Sequence, residues 1–156
     1  LEHDTLTDAT RYLANALFGE EGLVIVDGDD KELKKLLIPY AKTDILDHTP
    51  HEKISETMDA LGQVSSDYTI QVNPREINYF YLKDGIRERI ILKKGKYHVI
   101  NTHIDFSKEE LLQELETYPQ RFSPNVAARP LYQEVILPNL CYIGGGGELA
   151  YWLELK

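Results

Sequence analysis

The sequence predicts an α/β fold: an open, mostly parallel sheet into which a small antiparallel β meander is inserted. Three patterns carry this prediction. Two short, continuous apolar runs, Leu23-Val24-Ile25-Val26 and Leu140-Cys141-Tyr142-Ile143, each end in a polar or glycine turn, as strands buried on both faces do. Segments of helical period flank those runs, and helix, buried strand, turn, helix is the rhythm of a parallel sheet. Residues 68–100 instead show alternating and aromatic β-rich stretches with hairpin signals.

Taken in order, Thr7 reads as the N-cap of a first helix, with Asp8 placing negative charge in its first turn. Ala9, Tyr12, Leu13, Ala16 and Leu17 recur at helical spacing to about Phe18, and Gly19 ends the element. The run 23–26 is the first buried strand, closed by Asp27-Gly28-Asp29-Asp30, and a helix follows over 31–37. A further helix is expected over 51–61, after Pro50 at a permitted early position. Tyr68-Thr69-Ile70-Gln71-Val72 alternates, 77–82 is β-rich, and Asp84-Gly85 signals a hairpin. Ile90-Ile91-Leu92 and Tyr97-His98-Val99-Ile100 flank the turn Lys93-Lys94-Gly95-Lys96. Ser107 with Glu110 forms a capping box ahead of Leu111, Leu112 and Leu115. Residues 130–136 read as another helix with Pro138 after its end, then come the strand 140–143, four glycines and a helix from about Glu148. On this reading 1–67 is the first part of the core, 68–104 the inserted meander and 105–156 the return to the core. The chain does not begin with Met, and 150–156 resemble an unfinished amphipathic helix, so a segment of a longer protein is expected.

A length of 156 residues, 42% hydrophobic and 28% charged, suits one domain with a real core. The formal net charge of −9 repels phosphate backbones, so no nucleic-acid partner is expected, although a local field can still suit a small anion. Cys141 is the only cysteine, which excludes an internal disulfide and a thiolate metal cluster. With no stretch of membrane-spanning length and no basic, apolar leader, a cytoplasmic protein without a membrane partner is expected. Ten tyrosines suit cores and polar clefts alike.

The strongest local signal is Gly144, Gly145, Gly146 and Gly147, followed by Glu148. Four successive glycines cost roughly 2–4 kcal/mol against alanine-like residues, and an offsetting use is the close approach of bare N–H groups to a ligand at a strand's carboxyl end. Glu148 is awkward for a phosphate but suits an amine or a helix cap, and it is the one candidate for a catalytic role. The spacing is neither a dinucleotide fingerprint nor a P-loop, and a ligand-free connector is the competing reading. Asp27, Gly28 and Asp29 can accept ribose hydroxyls, bind an amine or hold hydrated Mg²⁺, or simply end the strand and cap the next helix. Asn125, Arg129, Tyr132 and Gln133 precede the second strand. Arginine grips a carboxylate or phosphate through two parallel hydrogen bonds. For Arg121 a structural salt bridge competes with that role, and Asn73-Pro74-Arg75-Glu76-Ile77-Asn78 reads as turn chemistry. The histidines do not form a zinc set, no nucleophile elbow is present, and burial of Cys141 in its strand would blunt its thiol. No general base emerges; a tyrosine or Glu148 would need a shifted pKa to serve.

Read together, 23–36, 122–133 and 137–156 resemble the bacillithiol-biosynthesis cysteine-adding enzyme family, the cysteine ligases of bacilli and related bacteria. Val26-Asp27-Gly28-Asp29-Asp30, Arg75-Glu76-Ile77-Asn78, Arg121-Phe122-Ser123-Pro124-Asn125 and residues 144–152 carry the likeness, which runs over nearly the whole chain. The family's chains are several times longer, so the resemblance makes this a central portion. It implies a Rossmann-like core with connecting-peptide-like insertions, the meander among them, and a coiled coil elsewhere that supports a homodimer. The implied reaction joins the carboxyl group of cysteine to the amine of glucosaminyl-malate, giving bacillithiol, and the segment alone is expected to be inactive. Forming an amide from a free carboxylate is uphill in water, so an adenylate or acyl phosphate is expected, with ATP and accompanying Mg²⁺ as cofactors. Two other readings share the frame: a nucleotidyltransferase-like enzyme acting on another acid, and a non-catalytic nucleotide- or metabolite-binding module.

Overall fold

The computed structural model describes residues 3–65, 67–137 and 139–155. It divides into two compact units, Leu1–Asp30 and Lys31–Lys156. The first is built on α1 (Leu6–Phe18). Its N-cap is Thr5 rather than Thr7: the Thr5 hydroxyl accepts the Asp8 N–H at 3.1 Å, closing the first turn. A 3₁₀ turn (Gly19–Glu21) and left-handed Gly22 end the element. The run 23–26 is not a strand, and Val24 is 78% exposed. A strand needs a neighbouring ladder for its backbone groups, and no described residue pairs with this run.

The second unit holds a five-stranded sheet of β1 (Tyr79–Lys83), β2 (Ile86–Lys93), β3 (Lys96–Val99), β4 (Asp105–Phe106) and β5 (Phe122–Pro124). The order is β4-β3-β2-β1-β5, and every pairing is antiparallel. The expected mostly parallel sheet is therefore corrected for the described residues. The central hairpins form where turn chemistry requires them. Asp84-Gly85 and Lys94-Gly95 both take left-handed φ at two successive residues, the backbone that joins twisted strands most tightly. Residues 68–72 alternate in sequence but form no strand.

The helices of this unit are α2 (Lys31–Asp47), α3 (Thr49–Val64), α4 (Lys108–Thr117), α5 (Arg129–Ile136) and α6 (Gly146–Trp152). α2 runs past the expected end at 37 and through Pro39, because Leu37, Ala41 and Ile45 continue one buried face. Pro50 occupies the first turn of α3. The capping box of α4 is complete: the Ser107 hydroxyl accepts the Glu110 N–H at 3.2 Å, and the Glu110 carboxylate accepts the Ser107 N–H at 2.7 Å. Pro138, read as following α5, lies outside the described residues.

Strand alternation sends Tyr79, Tyr81, Ile90, Tyr97, Val99 and Phe122 to one face of the sheet, where they meet Leu37, Ala41 and Ile45 of α2 and Leu111 and Leu115 of α4. Ile54, Val72 and Ala127 form a smaller cluster with Met58, Tyr151 and Leu155. The second apolar run, 140–143, is neither strand nor buried: Leu140 and Ile143 stand out into solvent and Cys141 is exposed. The expectation of a Cys141 blunted by burial is corrected with it. No described helix is long and apolar enough to cross a membrane.

Candidate functional site

The site region is positioned by a buried polar network. Asp44 of α2 accepts from the Asn78 backbone N–H at 2.7 Å and from its side-chain amide at 2.9 Å. The Asn78 amide also donates to the Arg75 carbonyl at 2.8 Å, and its oxygen accepts from Arg75 N–H and from the Asn125 amide. All four hydrogen-bonding capacities of this buried side chain are used. The Asn125 oxygen in turn accepts the N–H groups of Ala127 and Ala128 at 2.9 and 3.1 Å. This fixes the approach to α5 and so the place of Arg129 at its first position.

The Arg129 guanidinium is the centre of the cluster. It pairs with the Glu148 carboxylate and donates to the Tyr151 hydroxyl at 3.1 Å, the Gln133 amide oxygen at 3.3 Å and the Tyr142 hydroxyl at 3.5 Å. Gln133 lies one turn along α5, and Tyr151 lies one turn beyond Glu148 on α6 and donates to it at 3.0 Å. Tyr142 stacks on Trp152, ring centroids 4.0 Å apart. Hydrogen bonds from the Tyr142 and Tyr151 hydroxyls, with the Arg129 charge, hold the Glu148 carboxyl below its ordinary value. Partial burial works against the Arg129 charge, yet the Tyr151, Tyr142 and Glu148 contacts hold its pKa above the ordinary one. Both groups are ionised at neutral pH. Such a cluster can orient a polar ligand; it does not supply a carboxyl poised to take a proton near neutrality.

Arg129, Gln133 and Glu148, all expected site residues, are thus brought together. Gly144, Gly145, Gly146 and Gly147 lead into the same cluster through α6. A Cβ built at Gly145, Gly146 or Gly147 meets nothing within 4 Å, whereas one at Gly144 would lie 2.7 Å from the Tyr142 ring. Tyr132 is buried in the core. Asn125 is spent on the backbone of 127–128, and both it and Arg129 border a hollow of about 710 Å³ on the second unit. Asp27, Gly28 and Asp29 belong to the first unit, where the Asp27 carboxylate accepts the Asp29 N–H at 2.9 Å in a local turn. Arg121 is structural: it pairs with Glu114, which also accepts from the Tyr81 hydroxyl, and lies over the Tyr118 ring. Among the described residues no three His, Cys, Asp or Glu side chains converge to hold a metal.

A family model described as "Bacillithiol biosynthesis BshC, N-terminal Rossmann-like domain" matches residues 1–156. The chain belongs to this family. It is 60% identical over 156 residues to a protein of Flavobacterium johnsoniae, 62% over 156 to one of Christiangramia forsetii and 43% over 152 to one of Cytophaga hutchinsonii. Each of these relatives is named "Putative cysteine ligase BshC". The matches cover 100%, 100% and 97% of this chain but only 29% of each relative. Membership in the BshC family makes this a Rossmann-like α/β domain whose described sheet is antiparallel.

Sequence reasoning passes over four residues of this BshC domain that the structure brings forward. Tyr151 carries a signal, its helical spacing from Glu148. Arg87 and Arg89 carry another, two cations at strand period on β2, where alternation places both on one face. Glu154 carries none: it is fully buried and accepts from the Tyr68 hydroxyl at 2.8 Å and from the N–H groups of Gln71 and Val72 at 2.7 and 3.1 Å, all far away in sequence.

Proposed function

We propose that the protein to which this domain belongs is a cytoplasmic cysteine ligase that joins the carboxyl group of cysteine to the amine of glucosaminyl-malate, giving bacillithiol. The observation that carries this reading is the match of the chain, end to end, to relatives that bear the cysteine-ligase name. The reaction needs an activated carboxyl. In the proposed scheme the cysteine carboxylate oxygen attacks ATP, which would be accompanied by Mg²⁺, at the α-phosphorus to give an adenylate with loss of pyrophosphate, or at the γ-phosphorus to give an acyl phosphate with loss of ADP. The amine nitrogen attacks the carbonyl carbon, the C–N bond forms, the phosphate-bearing group leaves with its oxygen, and the amine gives up a proton. The Arg129–Glu148 pair leaves that arginine's charge compensated, which does not fit a phosphate seated on it, so no residue of this chain is assigned to the nucleotide. Arg129, Glu148 and the two tyrosine hydroxyls are assigned instead to orienting the amine or hydroxyls of the sugar conjugate. The remaining strands of a parallel sheet, and a coiled coil that makes a homodimer, belong to the same proposal and lie in the part of the protein outside this chain.

The test is incubation of the full-length protein with cysteine, glucosaminyl-malate, ATP and Mg²⁺, followed by mass spectrometry of thiol products. Bacillithiol formed only when all components are present supports the ligase. Saturable binding of the substrates without product, at protein concentrations matching the substrates, refutes it.

A further inference from the structure

We infer that the hollow on the sheet face opposite the core is a binding site for a small ligand carrying two closely spaced anionic groups, carboxylate or phosphate. Arg87 and Arg89 rise from the same face of β2, two residues and roughly 6.6 Å apart along the strand, and both line the hollow. Phe80, the cross-strand partner of Arg89, lies beneath the Arg87 guanidinium, 4.0 Å from ring centroid to charge. That stacking orients the guanidinium plane while leaving its N–H edge free to grip a ligand. Arg75 reaches the hollow from a different direction, out of the turn that Asn78 locks through hydrogen bonds to both Arg75 N–H and Arg75 carbonyl. The space, about 710 Å³, is of the size that takes a small molecule.

The charge here runs against that of the whole chain. The sequence carries a formal net charge of −9, yet three guanidiniums share one hollow with no acidic residue in its lining. Among the described residues no carboxylate lies within ion-pair distance of Arg75, Arg87 or Arg89. The fourth arginine of the wall, Arg129, is already compensated by Glu148. Glu76 lines the adjoining hollow that Arg75 and Arg89 also border, and Glu154 lies behind the wall, accepting from the Gln71 and Val72 N–H groups. Neighbouring like charges repel, and guanidinium forks match paired oxygens of a carboxylate or phosphate. The malyl group of the proposed sugar substrate is itself a dicarboxylate, so the malate arm of the inference rests on the ligase reading and deepens it, whereas the diphosphate arm stands apart from it.

A dicarboxylate and a diphosphate are the two sources of this chemistry, and calorimetry separates them. L-malate and inorganic pyrophosphate are titrated separately into the full-length protein and its R87Q/R89Q, R87K and K94Q variants at low ionic strength. Saturable binding of malate alone assigns the dicarboxylate, binding of pyrophosphate alone the diphosphate, and binding of both the shared chemistry. R87Q/R89Q is expected to weaken the bound probe about tenfold or more. R87K, which keeps the charge but loses the fork, should weaken it by a smaller factor, and K94Q, in the β2–β3 turn, should leave it within about twofold. Binding of neither probe overturns the inference, as does an equal loss in K94Q and R87Q/R89Q. The ligase assay can fail while this binding persists, so the two outcomes are distinguishable.

Discussion

Asp44 is a carboxyl group placed where water barely reaches it, at 1% exposure. Burial, only partly offset by the two Asn78 donors and by His48 and His51, pushes its pKa from 3.8 up to about 6. A folded-state pKa above the unfolded one means that this group's contribution to stability is complete below about pH 4 and is lost as pH rises through about 6. The linkage relation puts that loss at roughly 3 kcal/mol. Asp44→Asn removes the titration, so the stability difference between wild type and variant should shift in favour of the variant across pH 4 to 6. Denaturant unfolding at several pH values reads it, and a difference that stays flat over this window would sink the assignment. Glu154 is also fully buried, and its two carboxyl oxygens accept from three donors. Glu154→Ala leaves the buried Val72 N–H, and the part-buried Gln71 N–H, without their acceptor and is expected to cost about 1–3 kcal/mol by the penalty for a buried unsatisfied donor. The same denaturation measurement checks it, with a loss under about 0.5 kcal/mol counting against the clamp.

At the scale of the element, the glycine turn separates folding from function. None of Gly144, Gly145, Gly146 and Gly147 takes a left-handed φ, and the space around positions 145–147 is open. Gly145→Ala and Gly146→Ala should therefore leave stability unchanged or raise it by up to about 1 kcal/mol, through a less flexible unfolded chain. If bare backbone at this turn meets substrate, the same variants of the full-length protein should lose substrate affinity about tenfold; calorimetry showing unchanged affinity removes the turn from the site. Elements whose cause is local are legible in the amino-acid order alone. Asp84-Gly85 and Lys94-Gly95 specify their hairpins by backbone conformation, and Ser107 with Glu110 specifies the start of α4. Elements decided by distant partners are not. Residues 68–72 alternate like a strand, yet the Gln71 and Val72 N–H groups go to Glu154, which no local pattern reveals. Arg129, Gln133 and Glu148 are readable as polar residues near a turn, but their mutual compensation is a property of how α5 and α6 pack. The arginines of β2 escape a sequence reading because a cation pair at strand period usually marks a solvated face, and only Phe80 and the Asn78-locked turn make it a hollow.

For the whole molecule, the two apolar runs pose the sharpest question. Residues 23–26 and 140–143 have the composition of strands buried on both faces, but Val24, Leu140 and Ile143 are largely exposed and neither run has ladder partners among the described residues. An exposed apolar run forgoes about 1.5–3 kcal/mol for each large side chain it fails to bury, and its backbone groups find no strand to bond. The chain covers 29% of the length of its relatives, so segments beyond it are available to supply the missing ladders, as the proposed parallel sheet requires. The two arrangements differ in what one substitution does to the full-length protein. If Ile143 stays in solvent there, Ile143→Ala should change stability by no more than about 0.5 kcal/mol. If a completed sheet buries it, the same change should cost about 2–5 kcal/mol, and the amides of 23–26 and 140–143 should exchange with deuterium as slowly as those of β1 and β2. We expect the second result; fast exchange at both runs together with a neutral Ile143→Ala would leave the antiparallel sheet as the only sheet to which this chain contributes.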